Sequence, residues 1–174
     1  MTNIALIFGG PSPEHEISVL TGLQAGRILK EVGQEVISIY WTKQGNWFRV
    51  DPDLEAHEFL KADIPTSVPL DFIIPEGFVE KKKLKSKQLD IDVVLNCSHG
   101  GPGEEGVLSA MLQICGIKVT GPRHDASAVL MDKLATSSVA EAIGVKGIET
   151  VELNQYDREI PFPAPWIVKP RFGG

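Results

Sequence analysis

Ile4-Ala5-Leu6-Ile7-Phe8, closed by Gly9-Gly10-Pro11, is the stretch that decides the fold. Five consecutive apolar residues cannot alternate between core and solvent. They describe a strand buried on both faces, as in a parallel sheet. Two glycines and a proline then stop it. Ser12-Pro13-Glu14-His15-Glu16 follows, and Ile17, Leu20, Leu23, Ile28 and Leu29 recur at helical spacing. Ser12 suits an N-cap, and Pro13 with the acidic residues suits a first turn. Gly33 marks the helix exit, and Val36-Ile37-Ser38-Ile39-Tyr40-Trp41 reads as a second strand. This βαβ start predicts an α/β fold with a Rossmann-like parallel sheet.

Working outward, Trp47-Phe48-Arg49-Val50 reads as a short hairpin strand after the Gly45-Asn46 turn. Residues 51–90 mix prolines, acids and a lysine run, and they read as an insertion. Ile91 to Asn96 returns to a core strand, followed by the glycine-rich segment Ser98 to Gly106. Val107, Leu108, Met111, Leu112 and Ile114 give helical spacing closed by Gly116, and Ile117 to Thr120 is another strand. A helical stretch from about Asp125 to Ile143 ends at Gly144. Strands are expected at 148–153 and 166–170. Gly121-Pro122 places two breakers after a finished αβ unit. The expected division is therefore an amino-terminal α/β domain over 1–121 and the start of a second domain over 122–174.

The 174 residues carry a formal net charge of -6, which gives no footprint for nucleic acid or an anionic membrane. The run from Lys81 to Lys87 reads as a solvated helix face or loop. No apolar run reaches membrane-spanning length, and Met1-Thr2-Asn3-Ile4 lacks a positive region before a long apolar one. Cys97 and Cys115 each sit in apolar stretches with no Cys-x-x-Cys spacing. Buried, reduced thiols in a cytoplasmic protein are the expectation.

Ligands of a parallel α/β sheet sit outside the carboxyl ends of its strands. Two loops occupy that position, Gly9 to Glu16 and Ser98 to Gly106, and both open helices. The first contributes the carboxylates Glu14 and Glu16. The second contributes the His99 imidazole and Glu104-Glu105. An acid from one loop and a base from the other suit a small ligand carrying both an amine and a carboxylate. A plainer reading stands beside this one. Glu14 and Glu16 can complement the positive end of a helix, the preferred reading for Glu16. His99 can be a satisfied loop histidine, and Glu104 and Glu105 can be capping residues. Neither glycine loop fits a dinucleotide-binding fingerprint, and no Walker A motif is present.

The segment Gly9-Gly10-Pro11-Ser12-Pro13-Glu14-His15-Glu16-Ile17-Ser18 resembles the first signature of the D-alanine–D-alanine ligases. His99-Gly100-Gly101-Pro102-Gly103-Glu104-Glu105-Gly106 resembles their second. Thr120-Gly121, Ala126-Ser127-Ala128, Met131-Asp132-Lys133 and Ile167-Val168-Lys169-Pro170 continue the likeness in order. The resemblance implies an ATP-grasp ligase in which ATP phosphorylates the carboxylate of a first D-alanine. A second D-alanine then attacks the acyl phosphate, and the dipeptide feeds peptidoglycan synthesis. It implies a pre-ATP-grasp domain followed by the incomplete start of an ATP-grasp domain. Glu14 matches the glutamate that holds the first D-alanine's ammonium, Ile17 an apolar position against its methyl, and His99 a histidine near its carboxylate. Lys133 and Lys169 match lysines that contact ATP phosphates, and Lys169 stands out intrinsically as a charge in an apolar strand.

The match departs in places. Glu104-Glu105 replaces the family's Glu-Asp, Pro122-Arg123 follows Thr120-Gly121, and Ser137-Ser138 stands where a lysine often occurs. The sequence reaches Gly174 where the family's serine-containing phosphate loop begins. Magnesium, implied by the family, has no ligands assigned here, and the 174-residue chain alone is expected to be inactive. The alternatives are a non-catalytic amino-acid-binding module, or a D-alanine–D-lactate or D-alanine–D-serine ligase. Unpaired strand edges in the second domain predict dimerisation, as a homodimer, or disorder towards the carboxyl end.

Overall fold

β1 (Ile4–Gly9) is buried along nearly its whole length and lies within an eight-stranded sheet. A computed structural model of the chain describes residues 2–61, 64, 66–81 and 86–173. Strand alternation sends Ala5 and Ile7 to one face of the sheet and Leu6 and Phe8 to the other. The first pair packs with Ile39, Trp41, Trp47, Leu108 and Leu112. The second packs with Val19, Leu23, Tyr40 and Phe59. A core on each face explains why β1 reads as an unbroken apolar run.

The predicted βαβ unit is present. α1 (His15–Glu31) leads to β2 (Val36–Trp41), which pairs in parallel with β1 from Ile4↔Val36 to Gly9↔Trp41. α1 lies very close to β1. A Cβ added at Gly22 would stand 2.4 Å from the Phe8 Cβ and Cγ, so any side chain there must displace the ring. Glycine inside a helix costs about 1 kcal/mol relative to alanine, and the close approach offsets that cost.

Residues 51–90 are not an insertion, contrary to expectation. After β3 (Trp47–Arg49) and a 3-10 helix at Ala56–Leu60, they supply β4 (Val68–Ile73), β5 (Gly77–Glu80) and β6 (Lys87–Gln88). With β7 (Val93–Asn96) and β8 (Lys118–Val119), the strand order is β6-β5-β4-β3-β2-β1-β7-β8. The sheet is parallel across β2, β1, β7 and β8 and antiparallel from β2 outward to β6. The fold class is α/β as expected, with a mixed sheet. The outer half is held by Phe78, fully buried with its ring edge-on to Trp47 and Phe72, and by an ion pair between Arg49 and the buried Glu80 at 2.7 Å. Of the lysine run, Lys81 pairs with Asp71 and Lys87 lies in β6; residues 82–85 fall outside the described residues.

Beyond β7 come α2 (Gly101–Glu104), α3 (Val107–Ile114), α4 (His124–Met131) and α5 (Lys133–Ala142). The single helix expected over 125–143 is broken at Asp132. That residue adopts extended backbone, and its carboxylate accepts the amides of Leu134 and Ala135, which caps α5. Among the described residues from 145 to 173 there is no helix or strand, so the strands expected at 148–153 and 166–170 do not form. Ile148 and Ile167 are each 88% exposed. A strand needs a neighbour for its backbone groups, and among the described residues these segments pair with no strand. Both cysteines are free. Cys97 is buried, which pushes its thiol up to about 11, and Cys115 is half-buried. No described helix is long and apolar enough to cross a membrane.

Candidate functional site

Gly9 and Gly10 close β1 at φ +88° and +106°, which favours glycine. The Gly10 amide donates to the Trp41 carbonyl at 2.7 Å, and a Cβ on Gly9 would lie 2.3 Å from that oxygen. The turn delivers Glu14 to the start of α1. Ser12 does not cap the helix itself; its Oγ accepts the Glu14 amide at 3.0 Å, one residue before α1 begins. Buried His15 fastens the turn from behind. Its Nδ1 donates to the Gly10 carbonyl at 2.8 Å, so its Nε2 accepts from the Tyr40 hydroxyl at 2.9 Å. Burial pushes the Tyr40 phenol up.

The second loop is shaped by Asn96 at the end of β7. Its Nδ2 donates to the Gly103 carbonyl, and its Oδ1 accepts the Ser98 amide. Gly100 donates its amide to the Glu104 carboxylate at 2.8 Å. The two loops then meet. A Cβ on Gly100 would lie 2.7 Å from Ser12 Oγ and 3.1 Å from Glu14 Oε1. Ser18, with no exposed surface, accepts the His99 amide at its Oγ (2.7 Å) and donates to the Glu14 carbonyl (3.2 Å). Thr21 Oγ1 lies 2.9 Å from His99 Nε2.

Glu14 and His99 are thus brought together, both half-buried, through one serine. The Glu14 carboxylate has no hydrogen-bond or ion-pair partner among the described residues. A half-buried carboxylate left that way is poised for a cation. Ile17 lies one turn along α1, 52% exposed. Ser18 and Thr21 are residues that the sequence reading passed over. The signal was present: Glu14, Ser18 and Thr21 are spaced i, i+4, i+7 and share one helix face. The plainer reading fits Glu16, which pairs with Lys43; that ammonium holds its carboxyl below the usual range. Glu104 folds back onto its own loop. Beside His15 opens a cleft of about 500 Å³ lined by Glu16, Tyr40, Lys43, Phe59 and Lys61, among others, but not by Glu14 or His99.

Neither lysine makes a hydrogen bond or ion pair to Glu14 or His99 among the described residues. Lys133 opens α5, and its Nζ donates to the Gly173 carbonyl. Lys169 is exposed and in no strand, so its expected burial in an apolar strand does not hold. Among the described residues no group of three or more His, Cys, Asp or Glu is placed to hold a metal ion. What organises the Lys133 region is Arg171. It grips Asp132 through Nε (2.9 Å) and Nη2 (2.6 Å), and reaches Glu152 through Nη1 (3.0 Å). Its carbonyl accepts the Lys133 amide at 3.1 Å.

This clamp predicts a pH dependence. The Arg171 guanidinium holds the Asp132 carboxyl down at about 2, below the ordinary value of about 3.9. A carboxyl depressed on folding stabilises the fold above its unfolded value, and the contribution disappears as pH falls through its folded value. The contact is therefore expected to hold above about pH 4 and to release between about 4 and 2. Protection of the Lys133 amide, read by NMR as its exchange rate relative to the intrinsic rate at each pH, should fall as pH drops across that window. Arg171→Gln should reduce the pH dependence, leaving the part due to the Leu134 and Ala135 amides, with exchange in β1 unchanged.

Residues 3–122 match the family model described as the D-ala D-ala ligase N-terminus. A D-alanine–D-alanine ligase of Sulfurovum sp. is 33% identical over 170 residues, covering 97% of this chain and 48% of that protein. One from Helicobacter pylori is 30% identical, covering 97% and 50%. The chain spans about half the length of the curated relatives it matches. A crystal structure of the Helicobacter pylori ligase superposes with a TM-score of 0.85 at 28% identity, covering all of this chain and 56% of the other. A D-Ala:D-Ser ligase of Enterococcus faecalis superposes at 0.69 and 27% identity, covering 82% and 42%. The glycine turns, the paired loops and these likenesses coincide over the same residues, and the chain belongs to the D-alanine–D-alanine ligase family, matching its amino-terminal region.

Proposed function

We propose that this chain supplies the first-amino-acid side of an ATP-dependent D-alanine–D-alanine ligase. The observation that carries the reading is the Glu14 carboxylate, unpartnered among the described residues, on a residue whose backbone carbonyl Ser18 links to the backbone amide of His99 on the facing loop. Glu14 would take the ammonium of the first D-alanine by a charge-assisted hydrogen bond. Ile17 would flank the methyl, and His99 would donate to the carboxylate. Phosphorylation of that carboxylate by ATP gives the acyl phosphate that the second D-alanine attacks. Lys133 and Lys169 would meet the ATP phosphates. Residues 1–121 would form the amino-acid domain and 122–174 the start of the ATP-grasp domain. Peptidoglycan synthesis, a cytoplasmic location and a homodimer belong to the same proposal. No observation favours the non-catalytic module or the D-lactate and D-serine alternatives.

The test has two arms. Calorimetric titration should give saturable heat with D-alanine and much weaker heat with L-alanine; no D-alanine heat at all would sink the amino-acid reading. The 174-residue polypeptide should form no dipeptide from D-alanine and ATP. Addition of the remaining half of a relative should restore ligation. Turnover by the 174 residues alone would show that they already hold a complete site.

A further inference from the structure

His99 has two ring nitrogens with different surroundings. Nε2 lies 2.9 Å from Thr21 Oγ1, and Nδ1 has no partner among the described residues. The proton on a neutral imidazole sits on one nitrogen only, and the bond made by the other decides which. If Nε2 carried it, the Thr21 oxygen would accept and its hydroxyl hydrogen would need an acceptor elsewhere. No such acceptor is recorded for Thr21 among the described residues. A Thr21 hydroxyl that donates to Nε2 satisfies the hydroxyl hydrogen and the Nε2 lone pair, and leaves Nδ1–H as a donor without a partner among the described residues.

We infer that Thr21 is a positioning residue that locks His99 in the Nδ1–H tautomer, so that the half-buried ring presents a donor to an acceptor-only carboxylate. Ser18 fixes the histidine's backbone, and Thr21, three residues further along the same face of α1, fixes the ring. The pair gives His99 its place and its polarity from one helix. A carboxylate can only accept, so the opposite tautomer would set a ring lone pair against it. Thr21 touches no ligand in this account and acts only through His99. The role deepens the proposed amino-acid site and rests on it for the ligand, though not for the tautomer.

The experiment reads the tautomer directly. Nitrogen-15 NMR of His99 in the ligand-free wild-type chain, at alkaline pH, should show a protonated Nδ1 and an unprotonated Nε2. Thr21→Ser keeps the hydroxyl and should keep that pattern. Thr21→Val removes it and should move the ring toward the Nε2–H form, with D-alanine bound about five- to tenfold more weakly. A wild-type Nε2–H spectrum, or a Thr21→Val spectrum identical to wild type, would overturn the lock. The wild-type spectrum needs no variant to fold. Should the tautomer follow Thr21 while D-alanine fails to bind the wild-type chain, the substrate reading fails and the lock stands.

Discussion

Ser18→Ala should weaken D-alanine binding by about tenfold or more, and lower stability by about 1–3 kcal/mol. The serine has no exposed surface, and its hydroxyl is the direct hydrogen-bonded link between the two loops. Alanine fits the space, so packing changes little. What changes is hydrogen bonding. The His99 amide, 2.7 Å from Oγ, loses its acceptor in a place that water reaches poorly. A buried donor left without a partner costs more than an average hydrogen bond contributes. The chain can relieve that cost by letting the Ser98–Gly100 segment move away from α1, and such movement separates His99 from Glu14. Affinity and stability therefore fall together. Ser18→Thr keeps the hydroxyl but adds a methyl group in a full core, so it should restore the amide contact at a packing cost. Thermal unfolding and D-alanine calorimetry on both variants measure the two effects. A Ser18→Ala chain that binds D-alanine like wild type would show that the loops hold their spacing without this contact.

The parts of the fold legible in the sequence are those whose neighbours are near in the chain. β1, α1 and β2 follow from one buried run, one helical period and the breakers Gly9, Gly10 and Gly33. The outer strands are different. β4 carries Pro69 and buries only Leu70, and β5 hides Glu80 beside Phe78, so neither has the apolar signature of a core strand. Their identity as strands comes from pairing through β3, a non-local fact. The converse holds near the carboxyl end. Ile167 and Val168 have strand propensity, yet they are exposed and pair with no strand among the described residues. Propensity of this kind acts only on a half-built sheet. At the site, the residue types of both loops were legible. The polar face Glu14-Ser18-Thr21 was legible as spacing too, but its meaning required knowing that it faces His99.

Glu14→Gln should cost more D-alanine affinity than any other single change considered for the amino-acid site, about tenfold to a hundredfold. The substitution keeps the side chain's length and its power to accept a hydrogen bond. It removes the charge alone. Glu14 makes no side-chain contact that caps α1, so the fold loses only the attraction of a carboxylate to a helix start, about 0.3–1 kcal/mol. Affinity and stability should therefore separate, in contrast to Ser18→Ala. The neighbouring carboxylate supplies the control. Glu16 is exposed and already satisfied by Lys43, so Glu16→Gln should leave D-alanine binding within about twofold of wild type. Raising the salt concentration should weaken wild-type binding more than binding by the Glu14→Gln chain, because only the former joins two full charges. Equal loss from both substitutions would mean that the ligand senses the general negative field of the first turn. A large loss at Glu14 alone would locate the ammonium at the carboxylate that lies against Gly100.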